Sequence, residues 1–274
     1  MSDIYDVIII GGGPAGCSAA LTLRSRGKKV LIVSNGIEQS GLYKAKNIDN
    51  YPGIPAVSGA ALSKKIRDHA EEMGAEIMPG RVISAMQSGD NFLVAVGTDI
   101  KSSSSLIIAT GIVQKNAYPG ESELLGRGVS YCATCDGMLY RGKKVAVLGF
   151  SADSVHEADF LREIGCEVEF FDKKRARKYE ILGDDKVETL IADGTEYHVD
   201  GIFILRDTVS VDALMPGLDT DNNGIITSRD MSTSIPGVFA AGDCAGKPHQ
   251  LAKAVGDGNV AALSAAEYLD TKER

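Results

Sequence analysis

At 274 residues the chain is long enough for two domains of the usual ~100–200 residues each. Its apolar fraction of 44% and charged fraction of 24% are ordinary globular values, while 31 glycines and no tryptophan suit tight turns around a bound nucleotide better than large aromatic packing. A net charge of −8 argues against a nucleic-acid partner, no apolar stretch reaches the ~18 residues of a membrane span, and an odd count of five cysteines fits a reducing, cytoplasmic compartment.

The amino-terminal apolar run is too short and too early for a signal peptide. Asp6–Ile10 (DVIII) is a continuous β-branched run, as in a strand buried on both faces of a parallel sheet. It enters Gly11–Gly12–Gly13–Pro14–Ala15–Gly16 and then a helical stretch, Cys17–Leu23. Strand, GxGxxG and helix in that order form a dinucleotide fingerprint. The glycines at 11, 13 and 16 permit the tight turn, close backbone approach to a pyrophosphate, and close helix–strand packing. Cys17 reads as a small packing residue. The next strand, Lys29–Val33, should end in an acid for the adenine ribose, but Ser34 and Asn35 stand there and Glu38 is the nearest acid.

Ser102–Ser105 reads as a loop or hairpin end, and Leu106–Gly111 (LIIATG) as a strand closing in glycine. Cys132–Ala133–Thr134–Cys135–Asp136 follows, the one place where two cysteines lie within a turn. Such a pair can close and reopen a small disulfide ring through its thiolates, and Asp136 is placed to carry protons. Half of a zinc site and two inert core thiols are the alternatives. No second CxxC and no His-x-x-x-His completes a metal site.

Lys144–Leu148 (KVAVL) is again a buried strand and Ser154–Ile164 an amphipathic helix, but the turn between them, Gly149–Phe150–Ser151–Ala152–Asp153, keeps one glycine and adds an acid. That is a poor phosphate cradle. Past the strand Glu167–Phe171 comes a basic run, Lys173, Lys174, Arg175, Arg177 and Lys178, which is either a docking surface or a solvated loop. The strand Gly201–Leu205 ends in Arg206–Asp207, and Gly237–Asp243 (GVFAAGD) ends in Gly-Asp before a helical run to the carboxyl terminus. Asp243 is placed either to accept from a polyol or to cap that helix.

GGGPAG, ATG, CATCD and GVFAAGD, in this order, resemble the low-molecular-weight thioredoxin reductases of the flavoprotein disulfide reductases. The resemblance covers both ends and the centre of the chain. It implies an α/β protein of two Rossmann-like nucleotide-binding domains, the second inserted in the first and reduced in size: residues 1–113 with 207–274 for non-covalent FAD, and 114–206 carrying the CxxC. It assigns the cofactor to Gly11, Gly13, Pro14, Ala15, Gly16, Asn50, Ala109, Thr110, Gly111, Gly242, Asp243 and Gln250, with Asp243 on the ribitol and Asn50 and Gln250 beside the isoalloxazine. It makes Cys135 the flavin-proximal sulfur, Cys132 the thiol that attacks thioredoxin and Asp136 the proton carrier, in a homodimer.

Three departures concern the family's NADPH site: the Gly149 turn, a basic run lacking the His-Arg-Arg signature, and too few residues between Phe171 and Phe203 for the usual helix and sheet. The family's later glycine is also replaced in the Arg206 region. NAD(P)H binding is thus expected to be lost, a pattern that resembles the ferredoxin-dependent flavin thioredoxin reductases, with ferredoxin as electron donor. An NAD(P)H-dependent reductase with an atypical site and a FAD-binding redox sensor without turnover stand beside this reading. The two crossings between domains, near Ile112 and Asp207, are expected to act as a hinge.

Overall fold

The computed structural model describes residues 4–38, 40–111, 118–121, 123–151, 153–172, 174–206, 211–222 and 224–272, Asp212 by its backbone alone. The chain forms two compact units, Met1–Val113 with Val211–Arg274, and Gln114–Ser210.

The first unit opens with β1 (Ile4–Ile10), α1 (Pro14–Ser25) and β2 (Val30–Ser34), followed by the short α2 (Gly41–Lys44) and α3 (Gly59–Glu72). Four strands complete this half: β3 (Glu76–Pro79), β4 (Val82–Ser88), β5 (Asn91–Val96) and β6 (Asp99–Ile108). β1 lies between β2 and β6, parallel to both, and β3 extends the parallel part beyond β2. β4, β5 and β6 run antiparallel as a meander. β1 is apolar throughout because both of its faces are covered. Val7 and Ile9 pack with α1, whereas Ile8 and Ile10 pack with Phe92, Leu106 and Leu214 on the other face. Burying each such side chain contributes about 1.5–3 kcal/mol.

Ser102–Ser105 is not a loop. It lies within β6, where Ser102, Ser103 and Ser105 pair with Ile4, Tyr5 and Val7 of β1. The fully buried hydroxyls of Ser103 and Ser105 donate to the carbonyls of Ser105 and Gly237, each at 2.8 Å. Those bonds remove the cost of burying polar side chains that made the run read as a surface segment.

The second unit contains β7 (Val129–Ser130), α4 (Ala133–Asp136) continued by a 3-10 turn over Gly137–Tyr140, β8 (Lys144–Gly149), α5 (Ser154–Glu163) and β9 (Glu167–Phe171). After these come β10 (Tyr179–Leu182), β11 (Thr189–Ala192), β12 (Thr195–His198) and β13 (Gly201–Leu205). A parallel sheet runs β7-β13-β8-β9, and β10-β11-β12 form a separate antiparallel sheet. Residues 171–203 therefore do hold the small sheet, because its strands are only four residues long and β11 and β12 are joined by the turn Asp193–Gly194 alone, while the described residues between β9 and β13 form no helix.

The chain returns to the first unit through α6 (Val211–Leu214), the hairpin β14 (Thr220–Asp221) and β15 (Gly224–Ile225), and β16 (Val238–Ala240), which lies parallel to β6. A 3-10 turn, Gly242–Ala245, then precedes α7 (Leu251–Lys272). α7 crosses α1 closely because small residues face each other: a Cβ at Gly258 would sit 2.1 Å from the Ala15 carbonyl oxygen. Among the described residues no helix is long and apolar enough to cross a membrane, and no cluster of His, Cys, Asp and Glu could hold a metal ion.

Candidate functional site

The carboxyl ends of β1, β6 and β16 meet at the glycine fingerprint. Gly11 has φ +115°, and a Cβ there would lie 2.2 Å from the Ala109 carbonyl oxygen, so only glycine lets the turn pass beside β6. A Cβ at Gly16 would lie 1.9 Å from the Gly11 oxygen, which fixes helix against turn. Gly13 differs: a Cβ there meets no protein atom within 4 Å. It caps α1 with extended backbone and no side-chain bond, and Pro14 begins the helix. The twelve-residue helix therefore presents its amino terminus without a capping side chain, as a cradle for a pyrophosphate requires. These residues fit FAD.

β16 brings Gly242 and Asp243 to the same sheet edge. Gly242 has φ +82°, and a Cβ there would approach that of Ala15 at 2.9 Å. Two α7 residues secure this turn, and neither is singled out by any sequence motif. Lys253 donates from Nζ to the carbonyls of Gly242 at 3.0 Å and Gly246 at 2.8 Å and pairs with Asp257, while Asp257 accepts the Gly242 N–H at 3.1 Å. Thr110, Gly111 and Asp243 are half-buried, and Asn50 and Gln250 are exposed. Cys17 and Cys244 are buried thiols, pushed upward by burial, Cys17 to about 12. Cys244 donates to the carbonyls of Ile108 and Ala241 at 3.2 and 3.3 Å, a structural use.

In the second unit Cys132 and Cys135 form a disulfide across α4, with Cα atoms 5.4 Å apart. Cys132 is 3% exposed, whereas Cys135 is exposed. Three amides at the helix start have partners within this group. Cys132 N–H goes to Ser130 Oγ at 3.1 Å, Ala133 N–H to Glu157 Oε2 at 3.0 Å, and Cys135 N–H to Cys132 Sγ at 3.2 Å. Ser130 Oγ also donates to Asp136 Oδ2 at 2.7 Å, so the candidate proton carrier is held from β7. Asp136 in turn raises the Tyr140 phenol, after burial, the larger cause. Ser130 and Glu157 were not legible as site residues.

Residues 5–177 and 172–258 match the pyridine nucleotide-disulphide oxidoreductase family. The chain is 34% identical to a thioredoxin reductase of Listeria innocua over 97% of its own length and 94% of the relative's. It is 33% identical to that of Bacillus subtilis, over 97% and 95%. The chain belongs to the pyridine nucleotide-disulphide oxidoreductases, among the low-molecular-weight thioredoxin reductases. Among solved structures it is similar to a ferredoxin-flavin thioredoxin reductase from Clostridium acetobutylicum, with TM-score 0.90, 40% identity and 99% of each chain covered.

The family's second nucleotide turn lies between β8 and α5, and here it is packed. A Cβ at Gly149 would lie 2.5 Å from the Phe170 ring, so this glycine serves side-chain packing within the unit. Phe150 N–H and Ser151 N–H both donate to the Leu205 carbonyl, at 2.8 and 2.9 Å. The Phe150 ring packs 6.3 Å from Tyr118 and 6.1 Å from Tyr179, centroid to centroid. Ala152 lies outside the described residues.

The described basic residues of the run are all exposed, but Arg175 is engaged within the unit. Arg175 bonds the Phe170 carbonyl at 2.6 Å, pairs with Glu169 and stacks 4.2 Å from the Phe171 ring centre. Lys174, Arg177 and Lys178 are exposed, with the Asp193 carboxylate on the amides of Arg177 and Lys178; Lys173 lies outside the described residues.

Proposed function

We propose that this chain is a cytoplasmic, homodimeric FAD-dependent thioredoxin reductase that takes its electrons from reduced ferredoxin and has no working NAD(P)H site. The observation that carries the reading is the β8–α5 turn. Where a dinucleotide needs open glycines and donor amides, Phe170 fills the Gly149 position, Phe150 joins an aromatic cluster, and Leu205 takes two amides. Asp193 adds negative charge at the segment where a 2′-phosphate would need cations. The likeness to the C. acetobutylicum ferredoxin-flavin enzyme supports the same donor.

Gly11, Gly13, Pro14, Ala15 and Gly16 would hold the FAD pyrophosphate, with Ala109, Thr110, Gly111 and Gly242 lining the cradle. Asp243 would hold the ribitol, and Asn50 and Gln250 would face the ring. Bound FAD would supply the two electrons that open the Cys132–Cys135 disulfide. Each remaining step belongs to the chain. Cys135 would be the sulfur that receives the cofactor's electrons, and Cys132 the one that attacks the thioredoxin disulfide, forming a mixed disulfide and releasing one thiol. Cys135 then attacks Cys132, releasing the second thiol and re-forming the ring.

A protein disulfide cannot reach a cysteine that is 3% exposed, so Cys132 must be uncovered first. The hinge expected from the sequence at the crossings near Ile112 and Asp207 falls outside the described residues. Thiols appearing on thioredoxin with reduced ferredoxin and the wild-type chain, and none with Cys132→Ser, are the expected result. Equal thiol release by the variant would reject the reading.

A further inference from the structure

Ser130 ends β7, two residues before Cys132, and is 5% exposed. Its hydroxyl is a junction. It accepts the Cys132 N–H at 3.1 Å and donates to Asp136 Oδ2 at 2.7 Å. The Cys132 carbonyl also lies 3.2 Å from the same oxygen. A hydroxyl has one hydrogen, and the shorter, charge-assisted contact to the carboxylate is the stronger claim on it. Water at so buried a position offers little competition. One oxygen therefore ties the backbone of one cysteine of the redox pair to the carboxylate that follows the other.

The Asp136 N–H donates to the Cys132 carbonyl at 3.3 Å, which fixes its backbone on α4 but leaves two side-chain torsions to be set by something else. The Ser130 hydroxyl is the bond that sets them. Glu157 supports the neighbouring Ala133 amide and does not touch Asp136 in any bond of this group.

We propose that Ser130 is a positioning residue that aims the Asp136 carboxylate at the Cys132–Cys135 pair, so that one carboxylate serves both halves of disulfide exchange. The proposal rests on the disulfide-reductase reading above and deepens it. The Cys132 thiol gives its proton to the Asp136 carboxylate, and its sulfur attacks the substrate disulfide. The substrate S–S bond breaks as the Cys132–substrate S–S bond forms, and the departing thiolate takes the proton back from Asp136. Cys135 repeats the cycle on the mixed disulfide. Two thiol protons and two electrons leave the chain, two substrate thiols form, and Asp136 returns to its starting state. Ser130 itself exchanges nothing.

A departing alkyl thiolate needs that proton, whereas the acidic aromatic thiolate released from DTNB leaves without it. The test uses the full-length, FAD-loaded protein, reduced anaerobically and freed of reductant, with hydroxyethyl disulfide and DTNB as acceptors in single-turnover oxidations. Neither acceptor involves thioredoxin or ferredoxin, so a wrong partner assignment would leave this result standing. Ser130→Ala is expected to slow reaction with the alkyl disulfide about tenfold more than with DTNB. Ser130→Thr should restore most of the difference, and adding Ser130→Ala to Asp136→Asn should cost little more than Asp136→Asn alone. Equal slowing with both acceptors would mean that Ser130 does not govern the return of the proton to the leaving thiolate, and would overturn the proposal that one carboxylate serves both halves. A Ser130→Ala loss that multiplies fully with that of Asp136→Asn would also overturn the proposal, and needs no Thr variant to read.

Discussion

Arg206 grips both carboxylate oxygens of Glu121, with Nη2 donating to Oε2 at 2.8 Å, and Glu121 is only 1% exposed. Burial pulls the Arg206 guanidinium down, but the hydrogen bonds and charge of Glu121 outweigh it and leave the arginine raised. The Tyr131 hydroxyl donates to the same carboxylate at 2.9 Å, and the Tyr118 N–H does so at 2.8 Å. The ion pair thus joins the end of β13 to the residue before Cys132.

Removing the Glu121 charge takes the counter-ion from a largely buried Arg206, which keeps its contact with the Tyr118 ring. Glu121→Gln should destabilise the protein by about 3–5 kcal/mol, whereas Glu121→Leu with Arg206→Met should cost clearly less than the single change. Urea unfolding followed by circular dichroism decides it. A single variant within about 0.5 kcal/mol of wild type would show that the pair carries no such burden.

Two glycines of the fingerprint should behave differently. Gly16→Ala drives a methyl to 1.9 Å from the Gly11 oxygen and should unsettle the fold with or without cofactor. Gly13→Ala meets no protein atom within 4 Å and keeps an allowed backbone at φ −79°, so the apoprotein should melt as wild type does. Its FAD affinity should fall, read by flavin fluorescence on dilution. Unchanged affinity in Gly13→Ala would remove Gly13 from the cofactor cradle.

Cys17 supplies a pH dependence. Its thiol is pushed from 9.0 to about 12, chiefly by burial, against a lowering by Arg67 and with a further rise from Glu71. Between those values the unfolded chain has lost the proton and the folded chain keeps it, so the native state binds more protons and stability falls as pH rises. The stability difference between wild type and Cys17→Ala should therefore shift against wild type as pH rises above 9.0 toward about 12. A pH-independent difference would mean that Cys17 ionises as freely in the folded chain as in the unfolded one.

Much of this was legible from local pattern. DVIII followed by GGGPAG fixes its own context, because the buried strand, the turn and the helix are contiguous in sequence, and the CxxC carries its chemistry in four residues. What stayed hidden depends on distant partners. Ser103 and Ser105 read as loop residues because their hydroxyls are satisfied only once β6 lies beside Gly237. Arg206 and Glu121 are 85 positions apart, and Lys253 and Asp257 meet Gly242 from α7. Ser130 looks like any strand serine until α4 folds back to bring Asp136 to it.

The cysteine pair is tested by Cys135→Ser. The variant should bind FAD with unaltered stoichiometry and fail to reduce any disulfide, since Cys132 alone can form a mixed disulfide but cannot resolve it. Retained multiple turnover, measured as thiols released per protein, would remove the pair from the mechanism.

The electron source is the central claim, and the flavin reports it directly. Under anaerobic conditions the absorbance of the FAD-loaded protein is recorded as excess NADPH, then NADH, then reduced ferredoxin is added, with oxidised thioredoxin present as acceptor. The flavin band should hold through both nicotinamides and then, with ferredoxin, bleach as thioredoxin thiols accumulate. Rapid bleaching by NADPH or NADH would contradict the account, and would mean that a dinucleotide binds despite Phe150, Phe170 and the Leu205 carbonyl.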